Sequence, residues 1–206
     1  MAEIKSPVAA GRPGTRLALL LAGTVRHDGS GGVADDLADP AGLAAWIAAE
    51  AEPLAAAGFA ADPEPADWEA VLAVRAALRA LLARAVSPAP PSRADAHRLI
   101  PAPEAVERLN AAAAAQPVVP RLGWPEAGAP QARLIPADEG RAELAAVLAR
   151  AAIDFLAGPD LPRLRACTAP RCVRYFLKEH GRQEFCKASC GNRARAARHY
   201  QRHHGG

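Results

Sequence analysis

Apolar positions recur at helical spacing in two long stretches. Between Pro65 and Val86 they are Trp68, Val71, Leu72, Leu78, Leu81 and Leu82, which predicts an amphipathic helix with Arg75, Arg79 and Arg84 facing outward. Between Ala137 and Leu156 they are Leu144, Val147, Leu148, Ile153 and Phe155, a second strong helix. Asp39-Pro40 reads as a helix start, with Asp39 as N-cap, Pro40 in the first turn, and Leu43, Trp46 and Ile47 on one face. Pro103 to Ala115 forms another helix, containing Val106 and Leu109. The apolar run Leu17–Val25 reads as a buried strand or a helix start. Gln116 to Pro136 is rich in proline, with apolar patches at Val118-Val119 and Leu134-Ile135, and reads as two short strands.

Punctuation divides the chain. Residues 1–15 read as a disordered arm, and Gly158-Pro159 with Pro162 ends the helical pattern. This predicts an α-rich body over 16–160 and a separate module over 161–206. The fold class is mainly α with a small β component. Composition supports that: half of the 206 residues are hydrophobic but only 4% are aromatic. Alanine supplies much of the apolar content, and it favours helix while burying little area per residue.

The net charge of +3 conceals an asymmetry. Residues 161–206 carry 11 basic and two acidic side chains, a net +9, while residues 1–160 carry 14 basic and 20 acidic ones, a net −6. A basic module on an acidic body points to a polyanionic partner. No run approaches the roughly 20 apolar residues that span a bilayer. Leu17–Ala22 is too short for a secretory signal and no small-x-small cleavage site follows it. These features lead us to expect a cytoplasmic protein, where clustered cysteines favour metal over disulfides.

All four cysteines lie in the basic module. Cys167 and Cys172 are spaced C-x4-C, 13 residues follow, and Cys186 and Cys190 are spaced C-x3-C. Zinc takes four thiolates tetrahedrally, and two close pairs on a looped-out segment deliver them to one ion. The intervening Val173, Tyr175, Phe176 and Phe185 predict two short strands joined by a turn at His180-Gly181-Arg182. Cys190 falls in the first turn of a helix, where the macrodipole favours a thiolate. Four thiolates leave no open position for water, so the zinc is structural rather than catalytic.

The stretch Cys167–Tyr200, and above all Cys190-Gly191-Asn192-Arg193, resembles the CGNR zinc finger. In bacterial proteins that finger typically follows an α-rich ABATE domain, a stress-induced transcription regulator type. Leu17–Val25, Leu37–Ile47, Val74–Arg79 and Arg108-Leu109-Asn110 are similar to segments of that domain. The sequence departs from the pattern at Leu20 and Gly23, where the family has Asp and Asn, and at Phe185, where it has Trp. The arginine-rich turn between the cysteine pairs is reduced to Arg182. The resemblance implies a treble-type ββα finger holding one Zn2+ and a transcription regulator.

On a helical wheel, Arg195, Arg198 and Arg202 lie within about 60° of one another, with His199 beside them, a stripe suited to phosphate contacts. Lys187, Arg174 and Arg171 are candidates to widen the patch. Ala197, Tyr200 and Arg193 lie opposite. Arg193 is expected to turn back toward the finger, and Asn192 to fix the turn after Cys190. The function expected is a DNA-binding regulator, its partner duplex DNA, with the body as sensor or dimerisation module. A small-molecule effector and a homodimer fit that reading, although no pocket is located by sequence. The alternative is an RNA-binding or ribosome-associated finger, with Tyr175 and Phe176 stacking on bases if exposed. No phosphate loop, HExxH or nucleophile elbow occurs, so no enzyme is expected.

Overall fold

The computed structural model describes residues 13–30, 32–60, 67–87, 98–138 and 140–204. Helix α1 (Pro13–Ala22) opens it, followed by the hairpin β1 (Val25–His27) and β2 (Val33–Asp35). Then come α2 (Pro40–Ala49), α3 (Ala51–Ala56), α4 (Trp68–Ala85) and α5 (Ala102–Ala114). A second hairpin, β3 (Val118–Gly123) and β4 (Gln131–Pro136), precedes α6 (Leu144–Leu156). A short 3-10 turn (Leu161–Arg163) leads into β5 (Leu164–Ala166), β6 (Tyr175–Leu177) and α7 (Ala188–His204). No helix among the described residues is long and apolar enough to cross a membrane.

The ambiguous run after residue 16 is helical. Leu17, Ala18, Leu21 and Ala22 are all buried, because α1 packs against α6, α3 and α4 at the centre of the body. A helix surrounded by others is apolar on most sides, which hides its period. Of the expected disordered arm, residues 1–12 lie outside the described residues, and Pro13 to Thr15 begin α1. Asp39 caps α2 as expected, accepting from the Gly42 N–H at 2.7 Å, and Asp67 caps α4 through Ala70 at 2.9 Å.

Helices α4, α5 and α6 close the bundle around Val71, Val74, Leu78, Leu82, Leu109, Leu148 and Phe155. Helix α6 starts at Leu144, seven residues later than its apolar pattern suggested. Gln116 explains the shift. Its side chain is buried, accepts from the Glu143 N–H at 2.8 Å and donates to the Arg141 carbonyl at 2.5 Å. A residue distant in sequence therefore caps α6, and Ala137 extends the β3–β4 hairpin through its bond to Pro117.

Two arginines contradict the outward placement on α4. Arg75 and Arg79 are buried, and only Arg84 of the three is exposed. Arg75 holds Asp35 with a fork, Nη1–Oδ1 2.5 Å and Nη2–Oδ2 2.7 Å, and donates to Thr24 Oγ1 at 3.0 Å. This ties the β1–β2 hairpin to α4. Burial acts to raise the Asp35 pKa, but the hydrogen bonds from Arg75 and the Leu37 N–H, with the arginine charge, outweigh it and hold the carboxyl below 3.8. A depressed carboxylate pKa contributes stability that is complete above the unfolded value and lost as pH falls through the folded one. Asp35→Asn is therefore expected to cost about 2 kcal/mol at pH 7, because it leaves Arg75 buried without its counter-charge. In denaturant titrations the deficit should narrow below about pH 4, as the wild type loses the same pair; a deficit independent of pH would refute this.

Candidate metal centre and basic helix

The finger is built from the hairpin β5–β6 and helix α7. Antiparallel register pairs Leu164 with Leu177, Arg165 with Phe176 and Ala166 with Tyr175. The hairpin thus brackets the first cysteine pair: β5 ends just before Cys167 and β6 begins three residues after Cys172. This corrects the expected strand pair within 173–185. Phe185 joins no strand, and β6 finds its partner upstream of Cys167 instead. The loop between the two cysteines is tight. The Cys167 N–H bonds the Arg174 carbonyl at 2.9 Å, and Arg171 adopts a left-handed φ of 61°. That conformation costs a non-glycine residue roughly 1–2 kcal/mol.

Helix α7 begins at Ala188, so Cys190 sits in its first turn. The N–H groups of Cys190 and Gly191 both bond the Lys187 carbonyl. A Cβ at position 191 would meet the Phe185 ring at 3.3 Å, so the glycine lets that ring lie close over the helix start.

All four Sγ atoms lie within 4.8 Å of one another. Cys172–Cys186 is 3.8 Å, Cys186–Cys190 3.5 Å and Cys190–Cys172 3.9 Å. A tetrahedron with zinc–sulfur bonds of about 2.3 Å has sulfur–sulfur edges of about 3.8 Å. These distances fit one ion and are far too long for disulfides. The four cysteines make one structural zinc site, buried with Ala169 and Phe176 and flanked by Phe185. The Cys186 N–H points at Cys167 Sγ at 3.5 Å, and Arg193 Nη2 at Cys190 Sγ at 3.5 Å, as second partners that favour thiolate.

Without the ion, crowding makes the thiols share protons as a unit. Hydrogen bonds from Cys167 first, then Cys186 and Cys190, hold Cys172 well below the ordinary thiol range. The bond from Cys167, helped by Cys186, brings Cys190 down to about 7. Cys167 and Cys186 are pushed up, the first mainly by its bond to Cys172 and the second by its bond to Cys167.

Residues 15–159 match the model of the ABATE family, described as "Putative stress-induced transcription regulator". The chain belongs to the ABATE family. Residues 163–203 match the CGNR zinc finger. No curated protein matches the chain.

The CGNR finger does not stand apart from the ABATE body. Leu164 and Leu177 are buried in the body's core, against which Tyr175 is packed. Arg79 reaches across from α4. Its Nη1 bonds the Ala22 carbonyl at 2.5 Å, its Nη2 bonds the Val173 carbonyl at 2.9 Å, and its guanidinium lies 5.4 Å from the centre of the Tyr175 ring. Sequence reasoning missed this residue.

Arg195, Arg198, His199 and Arg202 are exposed on α7, and Arg174 and Lys187 are half-buried beside the metal centre. Arg171 is exposed. Arg193 turns toward Cys190. Asn192 is placed differently from the expectation, because the helix begins before Cys190 and leaves no turn there to fix. Its side-chain oxygen is exposed and accepts from Arg195. Tyr200, on the wheel face opposite the stripe, is 63% exposed, since the finger is too small to cover the last turns of α7.

Proposed function

We propose that the protein is a DNA-binding transcription regulator whose CGNR finger contacts duplex DNA and whose ABATE body acts as sensor or dimerisation module, without enzymatic activity. One observation carries it. Arg195, Arg198 and Arg202 form an exposed cationic stripe on a helix anchored by the zinc site, and none of the three has an ion pair among the described residues. Like charges in a row repel one another and gain from a polyanion. His199 lies beside the stripe, with Arg174 and Lys187 at its base. A cytoplasmic location goes with this role.

The placement of Tyr175 and Phe176 removes the two stacking residues that the single-stranded RNA reading named. Phe176 is buried in the finger, and Tyr175 is half-buried with Arg79 over its ring, so neither offers a face to a base. In fluorescence anisotropy with zinc-loaded protein, log affinity for duplex DNA should fall linearly with log salt. Replacing Arg195, Arg198 and Arg202 together with alanine should flatten that slope by roughly 0.9 for each phosphate the helix no longer neutralises, with zinc content unchanged. Absence of binding to any duplex at low salt defeats the proposal, and preferential binding of single-stranded RNA in competition favours the alternative.

A further inference from the structure

A cleft of about 270 Å³ opens where the body meets the finger. The body supplies Arg26 and His27 from the end of β1, and the finger supplies Arg174, Lys187, Ser189 and Arg193. We propose that this cleft is a phosphate site, seating one backbone phosphate of the nucleic acid engaged by the arginine stripe. The inference rests on the nucleic-acid reading above and extends the interface onto the ABATE body.

Several observations converge on an anion. Arg174 is half-buried, yet its guanidinium has no hydrogen bond or ion pair among the described residues. Arg193 Nε is a buried donor with no partner among those residues. Unpaired buried donors are costly unless an acceptor arrives. Ser189 lies in the first turn of α7, where the dipole is positive, although the Cys190 and Gly191 N–H groups are already bonded to the Lys187 carbonyl. Arg26 is held by Asp36, which accepts from its Nε at 2.8 Å, and its two Nη groups have no partner among the described residues. The His27 ring accepts the Gly29 N–H through Nδ1 at 2.7 Å, which places the proton of the neutral ring on Nε2, a further donor.

One carboxylate, Asp28, also lines the cleft, where it accepts the N–H groups of Ser30 at 2.8 Å and Gly32 at 2.9 Å and so shapes its own turn. Planar guanidinium forks, a hydroxyl and a helix start converging from different sides suit a tetrahedral group with several equivalent oxygens. Ser189, Cys190 and Arg193 place the cleft on the side of α7 opposite Arg195, Arg198 and Arg202, so the phosphate it seats lies across the helix from those the stripe contacts.

The test uses the full zinc-loaded chain and a 20-base-pair duplex probe. Arg174→Gln should lower the salt slope by about 0.9, the contribution of one phosphate, and Arg174→Lys should restore most of it by keeping the charge. Arg26→Gln, on the body and away from the metal ligands, should lower the slope in the same direction; it carries the test if Arg174→Gln fails to retain zinc. Wild-type slope in both glutamine variants, with the Arg195/Arg198/Arg202 variant still weakened, overturns the phosphate site and leaves the nucleic-acid reading intact. If the wild type binds no duplex, that reading fails, and titration with inorganic phosphate decides the cleft. Chemical shifts at Arg174 and His27 that vanish in Arg174→Gln would keep it as a site for free phosphate, and their absence would overturn it.

Discussion

Cys186→Ser is expected to abolish stoichiometric zinc binding and unfold the finger. Structural zinc contributes on the order of 10 kcal/mol to small modules of this kind, comparable to the whole stability of an ordinary domain. Apart from Leu164, Leu177 and Tyr175, which pack on the body, the finger has little else to hold it. Its own buried cluster is four cysteines, Ala169, Phe176 and a partly covered Phe185. Three thiolates without the fourth leave an open, weaker site. Metal analysis should give one zinc per wild-type chain and much less in the variant, and helical circular dichroism should fall as α7 unravels. Wild-type protein purified without zinc, or a variant that keeps both metal and helix, would contradict the assignment. Because thiolates are the ligands, zinc affinity should fall as pH falls, with protons displacing the ion.

Arg79→Met should cost about 3–5 kcal/mol, the second large effect. The substitution conserves much of the side-chain volume but strips donors from two carbonyls, Ala22 at the end of α1 and Val173 beside a zinc ligand. Buried acceptors left without a donor bear the full desolvation penalty, and the cation over Tyr175 is removed as well. Arg79→Lys should recover only part, since one ammonium cannot reproduce a fork spanning two acceptors. Urea unfolding measures the loss, and the rate at which a chelator strips zinc gives a second readout, expected to rise because Val173 directly follows Cys172. Arg84→Met, on the exposed side of the same helix, should fall within about 0.5 kcal/mol of wild type. Equal effects at the two positions would show that Arg79 is not a bridge.

Much of this was legible in the sequence, for physical reasons. The zinc site came from spacing alone, because tetrahedral thiolate ligation demands short bites and a return loop. The Asp39 cap and the 118–136 hairpin followed from local chemistry. The buried arginines were readable in principle and misassigned. On a wheel of 100° per residue, Arg75 falls about 40° from Val71 and about 20° from Leu82, and Arg79 about 20° from both Trp68 and Leu72, so both lie inside the apolar arc, whereas Arg84 lies on the far side. Treating every arginine as solvated overrode that geometry. Its cost is met by Asp35 and by carbonyls from α1 and the finger, partners that only tertiary structure supplies. The strand partner of β6 was hidden for a related reason: pairing across Cys167 and Cys172 depends on the tight loop around Arg171, whose left-handed backbone no residue type there announces.

Leu164 and Leu177, placed from the finger into the body's core, also bear on how the protein is made. A ribosome releases the body first, but its core stays incomplete until these two leucines arrive and the metal fixes the hairpin that carries them. A chain synthesised under zinc shortage keeps that gap open, exposing apolar surface to chaperones and proteases. Metal supply would then govern how much of the protein persists in the cell, quite apart from what the finger binds.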